Sequence, residues 1–261
     1  MPLQPPSERS APAATDPACL RVAKRAALFL LGPFYFLYVA FVPLLVGKRR
    51  GFRGWYWRLV KRACSRLLWL LSIRTEMTDA DRATLAGDTG SIIVINHRSH
   101  LDGFALMSVL PDAKWITFAA KKELCDAALL RSGFKGAGLV EIDRKSGPVA
   151  LETLTAAVHA MPARCSVVLF PEGTRTRSDS LGAFKAGAVL VARTTGRTIR
   201  PIVIHASDRL LPHGRHLPKS GTIRVEVLPS FECDPSTASV DEDVARLRGA
   251  MMAVFDYGAG R

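Results

Sequence analysis

Ile92-Ile93-Val94-Ile95-Asn96-His97-Arg98-Ser99-His100-Leu101-Asp102-Gly103 decides how the rest of the chain is read. Four β-branched residues, with Gly90 upstream and polar residues downstream, predict a buried strand over 92–95. His97 and Asp102 begin where that strand ends, at the carboxyl edge of a sheet, where open α/β folds hold their ligands. Histidine titrates near neutrality, so it can take a proton from a hydroxyl and return it to a leaving group. A carboxylate on its other ring nitrogen fixes the tautomer and stabilises the imidazolium. A structural reading competes: Ser99-His100-Leu101-Asp102 also fits a helix-starting capping box, with Asp102 serving backbone donors. Residues five apart on an ideal helix do not share a face, so His97 must sit in the turn to meet Asp102.

From residue 74 onward, short apolar runs alternate with helical patterns. Strands are predicted over 92–95, 115–118, 139–142, 166–170, 198–204 and 222–227, and helices over 103–110, 122–132, 148–160, 183–195 and 240–255. The alternation predicts an α/β fold with a mixed, largely parallel sheet flanked by helices. There is no internal repeat, and residues 258–261 read as a frayed tail.

Three further stretches extend the first. They are Gly138-Leu139-Val140-Glu141-Ile142-Asp143-Arg144, Phe170-Pro171-Glu172-Gly173-Thr174-Arg175 and Arg200-Pro201-Ile202-Val203-Ile204. With the Asn-His and following Asp of the opening stretch they resemble, in order, blocks I to IV of the glycerolipid acyltransferases. Within that family they resemble in particular the 1-acyl-glycerol-3-phosphate (lysophosphatidic acid) acyltransferases. Ala120-Lys121-Lys122-Glu123-Leu124 and Phe184-Lys185-Ala186-Gly187 resemble the family's connecting pieces. The likeness covers residues 90–204; Glu141 departs from it, standing where relatives carry an apolar residue.

The resemblance implies transfer of a fatty acyl group from an acyl carrier protein or coenzyme A thioester to the free sn-2 hydroxyl of 1-acyl-glycerol-3-phosphate. Phosphatidic acid is then the product. His97 is the candidate general base and Asp102 its orienter. Arg144 and Arg175 suit a phosphate, which arginine meets with paired donors. Glu172 is assigned to the glycerol hydroxyl or to orienting an arginine, Gly173 to the approach of backbone amides to the phosphate or the oxyanion, and Thr174 to substrate binding within the same block. Each has a plainer alternative: Arg144 in a surface ion pair, Glu172 as a helix-start carboxylate. Arg177 and Lys185 are second-tier candidates. No Gly-x-Ser-x-Gly elbow is present, so direct attack by the acceptor is favoured over an acyl-enzyme. Ser99 reads as a helix cap and His100 as a spectator. His159, His205, His213 and His216 lack a carboxylate at suggestive spacing and read as structural or exposed. Other readings stay open: a different lyso-lipid acceptor such as lyso-ornithine lipid, or a non-catalytic lipid-binding protein on the same fold.

Composition places the partners. Residues 1–75 hold thirteen Lys and Arg against two acids, so most of the net charge of +13 lies there. It surrounds a run of 22 uncharged residues, 26–47, broken by Pro33 and Pro43. Such a run has the length to span a hydrocarbon core of ~30 Å. Basic residues flank both ends equally, which suits a re-entrant or kinked anchor as well as a single span. Residues 55–71 follow as a basic amphipathic helix with tryptophans, with Arg58, Lys61, Arg62 and Arg66 on one stripe and Leu59, Ala63 and Leu67 on another. That helix fits a membrane interface or a docking site on the main domain. The expected organisation is a disordered 1–18, a membrane-associated helical anchor over 19–73 and an acyltransferase domain over 74–257. The expected location is the inner (cytoplasmic) membrane, with the catalytic domain facing the cytoplasm. Basic charge gathered around an apolar run points to an anionic bilayer and away from nucleic acid.

Five scattered cysteines form no Cys-x-x-Cys pair, which argues against a disulfide framework or zinc site and for a reducing compartment. No dinucleotide fingerprint, Walker loop or His-Glu-x-x-His is present, so neither cofactor nor metal is expected. The thioester is a substrate.

Overall fold

The computed structural model describes residues 16–46, 52–121, 139–143, 147–176, 178, 180–233, 236 and 238–255. Helices α1 (Ala18–Val46) and α2 (Phe52–Leu70) precede strand β1 (Ile73–Glu76) and helix α3 (Asp79–Gly87). The predicted strand is β2 (Ile92–Ile95), followed by α4 (Leu101–Val109) and β3 (Trp115–Lys121). Then come β4 (Val140–Ile142), α5 (Gly147–Ala160), β5 (Cys165–Leu169), α6 (Gly187–Thr195) and β6 (Ile199–His205). A short α7 (Ser207–Leu210), β7 (Gly221–Val227) and α8 (Val240–Val254) complete the described chain.

The seven strands form one sheet in the order β1-β7-β6-β2-β5-β3-β4, parallel throughout except where β6 meets β7. This is the expected mixed, largely parallel sheet. β2 sits at its centre and every side chain of Ile92–Ile95 is buried. Strand pleating sends alternate residues to opposite faces. Ile93 and Ile95 pack with Trp57, Leu68 and Leu106 of α2 and α4, whereas Ile92 and Val94 pack with Leu154, Val189 and Leu247 of α5, α6 and α8. The β2 run is apolar throughout because both of its faces are covered.

Three elements were not predicted: β1, α3 and the short α7. β1 carries a single buried apolar residue, Ile73, because it is an edge strand with the pattern Ile-Arg-Thr-Glu. α3 is capped by Thr78, whose hydroxyl accepts the Asp81 N–H at 3.0 Å, and it buries Leu85. The helix expected over 122–132 and residues 1–15 of the disordered stretch expected over 1–18 lie outside the described residues, and Ala18 already belongs to α1.

α2 corrects the predicted stripe. Its buried line is Tyr56, Trp57, Cys64, Leu68 and then Leu71, not Leu59, Ala63 and Leu67. Lys61 is buried and bonds Asp112 at 2.7 Å, and Trp57 Nε1 donates to the Lys114 carbonyl at 3.4 Å. α2 is therefore docked on α4 and shares the core of the domain it precedes. Arg58, Arg62 and Arg66 remain exposed on its outer side. α1 packs on α2; Lys24 sits 4.1 Å from the Trp69 ring centroid and Arg66 bonds the Tyr35 hydroxyl at 3.2 Å. Among the described residues, no helix is long and apolar enough to cross a membrane.

Candidate active site

His97 leaves the carboxyl end of β2 and Asp102 stands in the first turn of α4. Nδ1 of His97 lies 3.0 Å from Oδ2 of Asp102. The same Oδ2 accepts the Arg98 and Ser99 N–H groups at 2.8 and 2.9 Å. Both readings of Asp102 thus hold together: one carboxylate ties the turn and orients the imidazole. Asp102 is fully buried, and the His97 side chain is 23% exposed. Its ring lies against Phe170, with centroids 4.0 Å apart. Among the described residues Nδ1 is the ring nitrogen that meets a protein group, and Nε2 meets none.

Several neighbours differ from expectation. The helix cap position is His100 rather than Ser99. The buried Ser99 hydroxyl instead donates to the Leu211 carbonyl at 3.0 Å and accepts the Leu101 N–H at 3.3 Å. Asn96 bonds both backbone groups of Ile204, 2.9 Å to the carbonyl and 2.7 Å from the N–H, and so ties the ends of β2 and β6 together. Buried Arg98 grips Asp208 at 2.6 Å and the carbonyls of Ser178 and Ser180.

The loop after β5 builds the other wall. Glu172 is buried, and its Oε1 accepts the His97 N–H at 2.8 Å. Its Oε2 accepts the Gly182 N–H at 2.9 Å and the Thr176 hydroxyl. The Thr176 N–H in turn donates to the His97 carbonyl at 2.9 Å. Both carboxylate oxygens accept donors from the protein, and through Oε1 Glu172 braces the backbone of His97. Burial pushes its carboxyl above the ordinary value, against the hydrogen bonds it receives. Gly173 adopts φ +74°, and its N–H closes the turn on the Phe170 carbonyl at 3.1 Å rather than pointing at a ligand. A Cβ there would meet Lys185 Cε and Nζ at 2.9 Å, which brings Lys185 over the loop.

Thr174 is exposed and Arg175 half-buried on this loop. Burial, and next the Arg175 charge, hold the His100 imidazole below its ordinary value, so Arg175 and His100 are electrostatic neighbours. Arg144 and Arg177 lie outside the described residues. His205 does have a carboxylate partner, Glu226 of the adjacent strand, at 3.0 Å. Sequence reasoning missed Ser207, whose buried hydroxyl donates to Asp102 Oδ1 at 2.5 Å. Nothing in the spacing signals it, since 105 residues separate the two. An apolar cavity of about 480 Å³ lies between α2, β3, β4 and α5. Trp115 and Cys165 open β3 and β5 on its wall, at the sheet edge opposite His97.

Residues 74–205 match the family model described as Acyltransferase. The human 1-acyl-sn-glycerol-3-phosphate acyltransferase alpha is 28% identical over 232 residues, 87% of this chain and 79% of that protein. The chloroplastic 1-acyl-sn-glycerol-3-phosphate acyltransferase LPAT1 of Arabidopsis thaliana is 30% identical over 141 residues, 54% of this chain. The chain spans only 39% of the length of that plant relative. The crystal structure of the 1-acyl-sn-glycerophosphate acyltransferase PlsC from Thermotoga maritima superposes with a TM-score of 0.67 at 19% identity, covering 90% of this chain and 92% of that one, a likeness of fold. The family match takes in half of the sequence, including the turn that joins His97 to Asp102, and by it the chain belongs to the acyltransferase family.

Proposed function

We propose that the protein is a membrane-associated O-acyltransferase that acylates the sn-2 hydroxyl of 1-acyl-glycerol-3-phosphate from an acyl carrier protein or coenzyme A thioester, yielding phosphatidic acid. The observation that carries the reading is the His97 Nδ1–Asp102 Oδ2 contact beneath a partly exposed ring. Asp102 holds the tautomer whose Nε2 lone pair faces outward. Nε2 takes the acceptor hydroxyl proton as the oxygen attacks the thioester carbonyl. A C–O bond forms, the tetrahedral oxyanion collapses, the C–S bond breaks, and the proton passes to the departing thiolate.

Direct attack is supported by the state of the alternative nucleophiles. Burial pushes the Cys64 thiol up to about 12 and the Cys233 thiol up to about 11, and both Ser99 hydroxyl contacts are internal. Arg175 and Thr174, with Gly173 shaping their loop and Arg144 contributed by block II, are assigned to the acceptor phosphate. Glu172 is reassigned to positioning His97. Among the described residues no group of side chains is arranged to hold a metal, and the proposed chemistry asks for none. Residues 19–73 are proposed to hold the enzyme on the cytoplasmic face of the inner membrane.

Purified protein given lysophosphatidate with each thioester in turn should form phosphatidate, and His97→Ala should not. Transfer only to a lyso-aminolipid would reassign the acceptor. No transfer to any lyso-lipid would leave a lipid-binding protein.

A further inference from the structure

Asp102 accepts four donors while fully buried. Arg98 N–H, Ser99 N–H and His97 Nδ1 crowd on Oδ2, and three of these come from its own turn. Oδ1 receives one, the Ser207 hydroxyl at 2.5 Å. Ser207 is also fully buried.

The fold delivers this hydroxyl with some care. Asn96 registers the end of β6 against the end of β2 through Ile204. Ala206 then takes a left-handed conformation, φ +65°, a cost that non-glycine residues accept only when the surroundings enforce it. That reversal starts α7 with Ser207 aimed back at the turn. The next residue, Asp208, is held by Arg98, so both ends of the His97–Asp102 turn reach α7.

We propose that Ser207 is a positioning residue for the acyl-transfer reaction, holding Asp102 in the plane and charge state that serve His97. The proposal rests on the acyltransferase reading of the site. Without the hydroxyl, Oδ1 is buried with no donor. The carboxylate then concentrates its charge on Oδ2, becomes the stronger acceptor, and favours the protonated imidazole.

The other charged groups facing the turn are Glu172, the Arg98–Asp208 pair, His100, Arg175 and His213. All of them remain in Ser207→Ala, so the change is read against a constant background.

In the full-length protein, Ser207→Ala should lower kcat on the order of 10- to 100-fold with both KM values nearly unchanged. The acid limb of the rate profile should move to higher pH. In an Asp102→Asn background the same substitution should add almost nothing, because it acts through the carboxylate. Titration of ¹⁵N-labelled His97 by NMR gives a readout free of turnover. Its midpoint should rise in Ser207→Ala and stay put when Asp102 is already Asn. An unshifted His97 midpoint, or kcat losses that multiply independently in the double variant, overturns the proposal. Absence of acyl transfer by the wild-type protein overturns the acyltransferase reading instead, and the NMR titration still decides whether Ser207 is coupled to His97.

Discussion

The main-chain N–H of His97 is held by Glu172 Oε1 at 2.8 Å, so block III fixes the backbone from which the block I base projects. One carboxylate serves three donors from three points of the chain: His97, Thr176 and Gly182. Glu172→Ala leaves buried donors unmet, each costing about 1–3 kcal/mol. The expected result is a marked fall in denaturant midpoint together with loss of activity. Glu172→Gln keeps one acceptor oxygen and should retain more stability than Glu172→Ala. Equal midpoints in urea for wild type and Glu172→Ala would remove Glu172 from the framework.

His97→Ala and Asp102→Asn should each reduce turnover by ~10²–10⁴-fold without unfolding the protein. The two losses should not multiply, because Asp102 acts through His97. Steady-state kinetics of the singles and the double, with circular dichroism to check folding, tests this. Full multiplicativity would mean that Asp102 contributes apart from its contact with Nδ1.

Sequence legibility followed burial. β2 and β6 were readable because a strand covered on both faces becomes an apolar run, whereas β1, at an edge, buries only Ile73. The α2 stripe was misplaced by about one residue because Leu59 and Leu67 are as apolar as their neighbours. Which leucine turns inward depends on where α4 lies, and the helical repeat does not contain that information. In the site, His97 and Asp102 were legible because they share a turn. Glu172, 75 residues from His97, reads from sequence as a partner of the glycerol hydroxyl or of an arginine, and its contact with the His97 N–H is not legible in the spacing. Ser207 was invisible, since its role exists only once β6 lies beside β2. Spacing reports partners within one turn; partners across the sheet are set by strand order.

Replacing Arg175 by Ala should raise the acceptor KM by on the order of 10- to 100-fold and leave the thioester KM nearly unchanged. The estimate follows from losing charge-assisted bonds to a phosphate, ~1.5–3 kcal/mol. Arg144→Ala should behave alike. Varying each substrate in turn separates the cases, and a defect confined to the thioester would move these arginines to donor binding.

Far from the site, Asp88 and Lys114 form a buried pair at 2.5 Å, joined by Ser91, Ser166 and Arg200. Burial opposes ionisation of Asp88, but the hydrogen bonds from Lys114 and Ser91 and the Lys114 charge outweigh it. Its carboxyl is held well below the ordinary 3.8. A carboxyl depressed in the folded state contributes stability above its unfolded value and loses it as pH falls through the folded one. Wild-type stability should therefore drop steeply below about pH 4, with Asp88 adding to that slope. Asp88→Asn should cost about 3–5 kcal/mol at neutral pH by stranding the Lys114 charge. It should also flatten the acid slope. Urea melts at pH 7, 4 and 3 measure both effects, and parallel acid slopes in the two proteins would refute the assignment.

Attachment to membranes is best tested by point substitution. Removal of residues 1–71 would take α2 with it and strip Trp57, Cys64 and Leu68 from the core beside Ile93 and Ile95. α1, by contrast, turns Phe29 and Phe34 outward, 83% and 72% exposed, with Leu30 and Leu31 between them. Arg58, Arg62 and Arg66 are exposed on the neighbouring α2. Apolar side chains beside basic ones suit insertion at an anionic interface. Phe29→Asp with Phe34→Asp should release the protein from vesicles containing anionic lipid, as read by flotation. High salt should weaken binding of the wild type without abolishing it, because the apolar contribution is not screened. The double variant should lose activity on bilayer-embedded acceptor and keep it on a short-chain soluble acceptor, since Phe29 and Phe34 are turned to solvent and not packed on the core that carries His97 and Asp102. Equal loss on both acceptors would instead give α1 a part in the active site, and undiminished flotation would place the membrane contact elsewhere.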